Sequence, residues 1–474
     1  MSETIEKLSD LEKYYHINSS IISYLRTTHQ EHSIGEEFLT ELQKEVFSNE
    51  NFWDDSKNII VQGRTSSGKT LVAQIAAAYF GGRETSISEK PRNSVVYLVP
   101  LRAMVSEKRA EFRQLFHDTL DWRVFASSSD YQDHDNDILS GNFEIAVIVY
   151  EKFFALLAQY NMNSFIKNCG LIVVDELQMM NDEDRGPKLE ISLTKVMNIN
   201  PHCKIMGLTT TQCDVTQILK WLKAEQIINY GRPKALEEYV VWPDPTNDCF
   251  RYYMRTELAD GTQPSETQHE GNGSRLDLDG RHINIYGSEK NIEKKMVPPI
   301  ISHVLQENSS AKILVFINFR NDTKNLASEI CDYLKLSKSR REQVLSEEDK
   351  RIQSFLLSDD EYAINMMKDM VPYGVAFHHG GLSRALRDFV EEEFRKSNGL
   401  INIVVATETL AIGVNMPADV VILAGIKLPR STSVTNEMRS HEYKNYIGRG
   451  GRLGKGSAQS GKSFLLAPSK AKAD

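Results

Sequence analysis

Residues 57–82 read KNIIVQGRTSSGKTLVAQIAAAYFGG: a strand, a glycine-bounded loop and a helix, in that order. Ile59 to Val61 is short and apolar, as a buried strand should be. Gly63 opens the loop, Arg64, Thr65, Ser66 and Ser67 carry it, and Gly68, Lys69 and Thr70 lead into a helix rich in Leu, Val, Ile and Ala. That helix meets a stop at Gly81-Gly82. Backbone N–H groups in such a loop, at the positive end of a helix, cradle phosphates. Lys69 is placed to reach the β- and γ-phosphates of a nucleotide, and the Thr70 hydroxyl to ligate Mg²⁺.

The same pattern, G-x-x-x-x-G-K-[ST], recurs at residues 456–463 as GSAQSGKS. Here it follows the glycine-rich GRGGRLGK rather than a strand, and leads into FLLA. Too little chain follows for a helix and a metal-binding strand. Gly456 to Ser460 is expected to be a turn before a last strand, Ser463 to Ala467. The first loop is the nucleotide site.

Composition bounds what surrounds it. The chain has 474 residues, 41% of them apolar and 26% charged, enough for two or three globular domains. No apolar run approaches the roughly 18 residues needed to span a bilayer, and the charged N-terminus has no apolar signal core. Five cysteines stand singly, without a C-x-x-C pair, which disfavours a zinc site or disulfide framework and suits a reducing cytoplasm. Net charge is −9, so a site for a polyanion must be local. Residues 427–473 are one candidate, with ten Lys and Arg against Glu437 and Glu442.

Short apolar runs alternate with helical stretches on both sides of the middle of the chain. SVVYLVP, EIAVIVY, GLIVVDE and KIMGL precede it; AKILVFIN, GVAFHHGG, INIVVATE, DVVILAG and KSFLLA follow. This rhythm predicts two α/β domains, each a mainly parallel sheet covered by helices. The expected divisions are a helical segment over 1–50, a first core over 51–240, a linker over 241–300 with a polar loop or hairpin near 256–285, and a second core over 301–474. Gln43 precedes the first strand, where its amide could read adenine or simply lie on a helix surface.

LIVVDELQ, residues 171–178, is a buried strand ending in two carboxylates. Asp175 at the carboxyl edge of the sheet can hold Mg²⁺, and Glu176 can orient and deprotonate an attacking water. In YIGRGGRLG, Arg449 and Arg452 lie about one helical turn apart and could both stabilise charge on a γ-phosphate. They belong to the second domain, whereas Lys69, Asp175 and Glu176 belong to the first, so an ATP held between domains would be touched from both sides.

GRTSSGKT, VPLRAMVSEK, VYEKF, VVDELQ, GLTTT, LVFINFR, HHGGL, ATETLAIGVNMPA and EYKNYIGRGGR stand in the order of the superfamily-2 helicase motifs. The chain resembles the Ski-like branch of that superfamily, which includes archaeal repair helicases and exosome-associated RNA helicases. GRPKALEEYV also resembles that branch after its first core. The resemblance covers roughly residues 40–467 and implies two tandem RecA-like domains, with ATP and Mg²⁺ as cofactors. It implies strand contacts from Pro100, Leu101, Arg102, Glu151 and Lys152 in the first core, and from Arg320, His379, Gly380 and Thr407 in the second. Gly413, within ATETLAIGVNMPA, is implied at the nucleotide. Thr209 and Thr211 stand where the family couples hydrolysis to movement, and Gly425 to Met438 where it often carries a strand-splitting hairpin.

Gln178 stands where the family usually has His or Asp, and Asn445 where it usually has Gln, two positions that normally communicate across the cleft. The chain also ends soon after the second core, so the winged-helix and ratchet domains of this branch are expected outside it or on a partner. The expected function is a nucleic-acid-stimulated ATPase acting as helicase or single-strand translocase. The alternative is an ATP-gated binding subunit that unwinds nothing; a metabolite kinase is disfavoured by the second core. PLRAMVSEK resembles DNA-repair members and ATETLAIGVNMPA RNA members, and the balance favours DNA.

Overall fold

The computed structural model describes residues 4–473, except 32–38, 65–66, 82–92, 160–163, 212, 232–234, 248, 258–273, 277–288, 338–360, 397, 408–415, 417, 425–426, 432–433, 438–442, 444–445, 449 and 451–459. Two units result, Met1–Pro233 and Lys234–Asp474. The first begins with helices α1 (Leu8–Tyr15), α2 (Ser19–Glu31), α3 (Glu41–Phe47) and α4 (Glu50–Trp53). Leu8, Leu11, Ile21 and Ile22 recur at helical spacing and are buried together with Val72, Ile75 and Phe116 of the first core, so the N-terminal segment belongs to that unit. Thr40 caps α3 through a reciprocal capping box with Gln43.

β1 (Asn58–Gly63) feeds the loop and then α5 (Lys69–Gly81); β2 (Ser94–Val99) is followed by α6 (Arg102–Phe112). β3 (Val124–Ser127), β4 (Ile145–Val149), β5 (Cys169–Val174), β6 (Lys204–Thr209) and β7 (Ala224–Asn229) complete a sheet of order β3-β4-β2-β5-β6-β1-β7. Every pairing in it is parallel. β2, β4, β5 and β6 are the apolar runs read from the sequence. β3 and β7 were not among them: both are edge strands, and β7 (AEQIIN) exposes Glu225 and Gln226, which dilutes the apolar signal.

The second unit has its own sheet, β10-β9-β8-β17-β14-β11-β13-β12. Its strands are β8 (Ala235–Asp244), β9 (Cys249–Glu257), β10 (Ser274–Leu276), β11 (Ile313–Phe316), β12 (Val375–His378), β13 (Ile403–Ala406), β14 (Val420–Leu423) and β17 (Ser460–Leu466). β8 to β10 pair antiparallel with one another, and β8 joins the parallel strands through β17. The expected linker over 241–300 is therefore partly sheet: the units divide at Pro233/Lys234, because Tyr239, Val241, Phe250 and Tyr252 pack into the second unit's core. Most of the expected loop near 256–285 lies outside the described residues. A separate ribbon, β15 (Lys427–Ser431) with β16 (Val434–Glu437), stands where the sequence predicts a hairpin.

Of the second phosphate-loop pattern, the expected turn over 456–459 lies outside the described residues, and β17 holds the rest. Gly461 pairs with β8, Lys462 and Ser463 pair with both β8 and β14, and the Lys462 ammonium sits 2.6 Å from Glu307. A fully paired strand has no N–H groups to wrap a phosphate. The strand begins at Ser460, three residues before the expected start.

Candidate functional site

Ligands of parallel α/β sheets gather at the carboxyl ends of the strands. In the first unit β5, β6 and β1 are neighbours, so their ends bring Asp175 and Glu176, Thr209 and Thr211, and Gly63, Arg64 and Ser67 to Thr70 to one edge. β2 and β4 deliver Pro100 to Arg102 and Glu151 to Lys152 to the same edge. Gln62, at the end of β1, donates to the carbonyls of Thr210 (3.1 Å) and Cys213 (2.9 Å), tying the loop after β6 to the strand that carries the phosphate loop.

The phosphate loop is braced from α3. The Thr40 hydroxyl donates to the Ser67 carbonyl at 2.6 Å, and Gln43 Nε2 donates to the Gly68 carbonyl at 3.1 Å. Gln43 is 4% exposed, so it is not the surface glutamine that the sequence also allowed. Gly68 has φ +90°, and a Cβ there would overlap the Gln43 amide, 2.8 Å from Cδ. Glycine is required on both counts. The Lys69 ammonium donates to the carbonyls of Gly63 (2.7 Å) and Arg64 (2.9 Å), arching over the loop it is expected to serve.

Asp175 is 8% exposed and its carboxylate is held on both oxygens, by the Tyr97 hydroxyl (2.7 Å) and the Glu176 N–H (3.0 Å). The Tyr150 hydroxyl donates to the Asp175 carbonyl. Burial, and then the Asp175 charge, push both tyrosines well above the ordinary phenol range, so they stay donors. Glu176 adopts a left-handed conformation, φ 56°, ψ 48°. Gln178 Nε2 donates to its carboxylate, and Thr209 Oγ1 donates to Gln178 Oε1 at 2.7 Å. Gln178 thus links the two acids' strand to β6 within one unit.

A hydroxyl at Thr70 and a buried carboxylate at Asp175 are hard oxygen donors of the type Mg²⁺ takes when phosphates and waters supply the rest. Among the described residues no cluster of three or more His, Cys, Asp or Glu forms a self-sufficient cage. This donor set fits an ion that arrives with its nucleotide.

The expected strand contacts divide. Arg102 is exposed at the start of α6, Leu101 is half-buried and Pro100 is buried. Glu151 accepts from Arg185 Nε at 3.1 Å and Lys152 pairs with Asp135 at 2.5 Å, so both are engaged inside the unit. In the second unit the ends of β11, β13 and β12 lie side by side and carry Arg320, Thr407 and His379. Thr407 N–H donates to the His378 carbonyl, and Gly381 N–H to His379 Nδ1 at 3.1 Å. A Cβ at Gly381 would stand 3.2 Å from His379 Nδ1 and 3.3 Å from an Arg320 Nη1, so this glycine lets them converge. Gly380 is exposed beside it. Thr65, Ser66, Gly413, Asn445, Arg449 and Arg452 lie outside the described residues.

Sequence reading passed over Thr40, Tyr97, Lys108 and Gly381. Tyr97 had a signal, a lone hydroxyl inside an apolar strand, which must find a partner. Gly381 stood in HHGGL already.

Comparison with known proteins bears on the whole arrangement. The DEAD/DEAH box helicase family matches residues 40–218, and the helicase conserved C-terminal domain matches residues 327–454. An ATP-dependent DNA helicase Hel308 from Thermoplasma volcanium is 30% identical over 398 residues, 84% of this chain and 48% of that protein. Its namesakes from Caldivirga maquilingensis and Thermoplasma acidophilum are 29% and 28% identical, again over 84% of this chain, and over 46% and 48% of their own lengths. The chain spans about half the length of the curated relatives it matches.

Proposed function

This chain belongs to the DEAD/DEAH-type helicases of superfamily 2, and on that premise we propose that it is an Mg²⁺- and ATP-dependent helicase or single-strand translocase, with DNA favoured over RNA. The observation that carries the reading is the convergence of the phosphate loop, the Asp175-Glu176 pair and Thr209 at three neighbouring strand ends. The preference for DNA rests on the relatives, whose names describe DNA helicases.

In this reading the N–H groups of Gly63 to Thr70 and the Lys69 ammonium bind the phosphates. Lys69 already donates to two carbonyls of the loop, the kind of oxygen that a phosphate would supply in their place. Thr70 and Asp175 would hold Mg²⁺, which when bound screens charge on the β- and γ-phosphates. Glu176 takes the proton of the attacking water. Its left-handed backbone and its bond from Gln178 aim the carboxylate. Arg449 and Arg452 are assigned to the charge that builds on the γ-phosphate. Gln43, already braced on Gly68, keeps one N–H for an adenine, and Gly413 is assigned to the nucleotide.

Arg102, Arg320, His379, Gly380 and Thr407 are assigned to the sugar-phosphate backbone of one strand. For Glu151 and Lys152 the assignment requires their ion pairs to open. Backbone contact of this kind makes tracking independent of sequence. Among the described residues no helix is long and apolar enough to cross a membrane, and none of the five cysteines is in a disulfide. Reduced thiols suit the cytoplasm we assign.

The test is phosphate release from ATP with Mg²⁺, alone and with single-stranded DNA or RNA, alongside unwinding of a duplex with an overhang. DNA should stimulate turnover more than RNA. ATP-tightened strand binding without stimulated turnover or unwinding would instead identify a gated binding subunit.

A further inference from the structure

Behind the phosphate loop lies a buried cation to which nothing above gives a task. α6 turns Met104, Val105, Lys108 and Phe112 inward, and Lys108 is only 6% exposed. Lysine is rarely enclosed so fully unless it is paired. Its ammonium lies 2.9 Å from Glu111 Oε2, 3.7 Å from Glu107 Oε1 and 3.4 Å from Thr70 Oγ1.

Two acids thus hold the ammonium on one side, and the hydroxyl of the phosphate loop meets it on another. An ammonium has donors only, so it takes one lone pair of Thr70 Oγ1 and leaves the second for a metal ion. At 3.4 Å the bond is long, but a charge in a site screened from water still orients the hydroxyl dipole. Burial works against the charged form, yet the charges of Glu111, Glu107 and Asp175 outweigh it and raise the Lys108 pKa. Without the ammonium, Glu107 and Glu111 would carry unneutralised carboxylate oxygens, the donor type that draws divalent ions.

We propose that Lys108 is a positioning residue of the ATPase site: it orients the Thr70 hydroxyl toward the metal ion and neutralises Glu107 and Glu111 so that they do not draw the ion away. The inference rests on reading Thr70 and Asp175 as the Mg²⁺ ligands.

The test uses the full chain and three variants, Lys108→Met, Lys108→Arg and the double variant Lys108→Met/Glu111→Gln. Two quantities are read: the Mg²⁺ concentration giving half-maximal ATP turnover, and Mn²⁺ binding followed by electron paramagnetic resonance, with and without a non-hydrolysable ATP analogue. Loss of an outer partner of a metal ligand weakens metal binding about 10- to 100-fold. Lys108→Met should therefore raise the half-saturating Mg²⁺ at least about tenfold, with most turnover regained at excess Mg²⁺. It should also weaken Mn²⁺ binding to the nucleotide-bound protein and create Mn²⁺ binding in its absence. Lys108→Arg should fall between.

If Lys108 were only half of a buried ion pair, removing both charges would repair everything. The double variant should instead recover thermal stability while keeping the raised Mg²⁺ requirement, and it carries the test should Lys108→Met fail to fold. A half-saturating Mg²⁺ and Mn²⁺ affinity equal to wild type in the double variant would overturn the inference while leaving the ATPase reading intact. A wild-type chain without Mg²⁺-dependent turnover would sink both.

Discussion

Replacing Gln178 with Ala should disconnect the acid at Glu176 from the loop after β6. Two bonds are lost: one from Gln178 Nε2 to the Glu176 carboxylate, and one from Thr209 Oγ1 to Gln178 Oε1 at 2.7 Å. The first involves a charge and contributes about 1.5–3 kcal/mol; the second is neutral and contributes about 0.5–1.5 kcal/mol. Glu176 also sits in a left-handed conformation that costs a non-glycine residue about 1–2 kcal/mol, so contacts beyond its own backbone must hold its aim. If that aim serves the attacking water, Gln178→Ala should raise the barrier to hydrolysis by about 2–4 kcal/mol, roughly 30- to 1,000-fold in turnover. Thr209→Val keeps the shape, removes only the hydroxyl and should cost about 1 kcal/mol, roughly fivefold.

Steady-state phosphate release, with and without single-stranded DNA, measures both singles and the double. Thr209 acts on Glu176 through Gln178, so the double variant should be little worse than Gln178→Ala alone. That corresponds to a coupling of about 1 kcal/mol, inside the range seen for contacting residues. Strictly additive singles would refute the relay, and wild-type turnover in Gln178→Ala would refute the role of Gln178 altogether.

Four further outcomes are expected. Lys69→Ala should abolish turnover, whereas Lys462→Ala, which removes only a pairing with Glu307, should leave the nucleotide dissociation constant unchanged and stability within about 1 kcal/mol. Gly68→Ala should destabilise the loop by about 1–3 kcal/mol through its positive φ, and adding Gln43→Ala should relieve the overlap but not the backbone strain; thermal melts and nucleotide titrations separate the two. Affinity for single strands should fall steeply between two salt concentrations and change little among unrelated oligonucleotides, and a strong preference for one sequence would reveal base readout. Lys204 is buried, its ammonium donating to the carbonyls of Asn51, Asp54 and Lys57, and burial pulls its pKa from 10.5 down to about 8. The unfolded chain therefore holds this proton across pH 8–10.5 while the folded one releases it, so stability should rise with pH there by about 3 kcal/mol relative to Lys204→Met; parallel denaturation curves would contradict this.

What the sequence made legible follows from where each signal is written. A strand buried on both faces is a continuous apolar run, so β1, β2, β4, β5 and β6 announce themselves. The loop after β1 announces itself because phosphate binding needs glycines and a lysine at fixed spacing. β8 and β9 were hidden for a different reason. ALEEYVVWPD and CFRYYMRTE mix charge with aromatics, because these strands pair antiparallel toward one end of the sheet and are not buried on both faces. Partner choice is not written locally at all. Nothing in the spacing tells that the Gln43 amide would brace Gly68, or that Gln178 would find Thr209, since each partner arrives from a distant strand or helix.

Lys108 stands between these cases. Its place on the inward stripe with Met104, Val105 and Phe112, flanked by Glu107 and Glu111, is readable from VSEKRAEF. A lysine on an apolar stripe with an acid on either side of it, one and three residues away, implies a buried cation brought in with its own counterions. What no spacing supplies is the third neighbour, the Thr70 hydroxyl, and that neighbour turns an ion pair into a component of the site. A charge costly to bury is most easily explained where it faces something that itself must be oriented. The Mg²⁺ requirement of the doubly neutral variant decides whether that explanation holds, because packing and charge balance predict repair, whereas orientation of Thr70 predicts none.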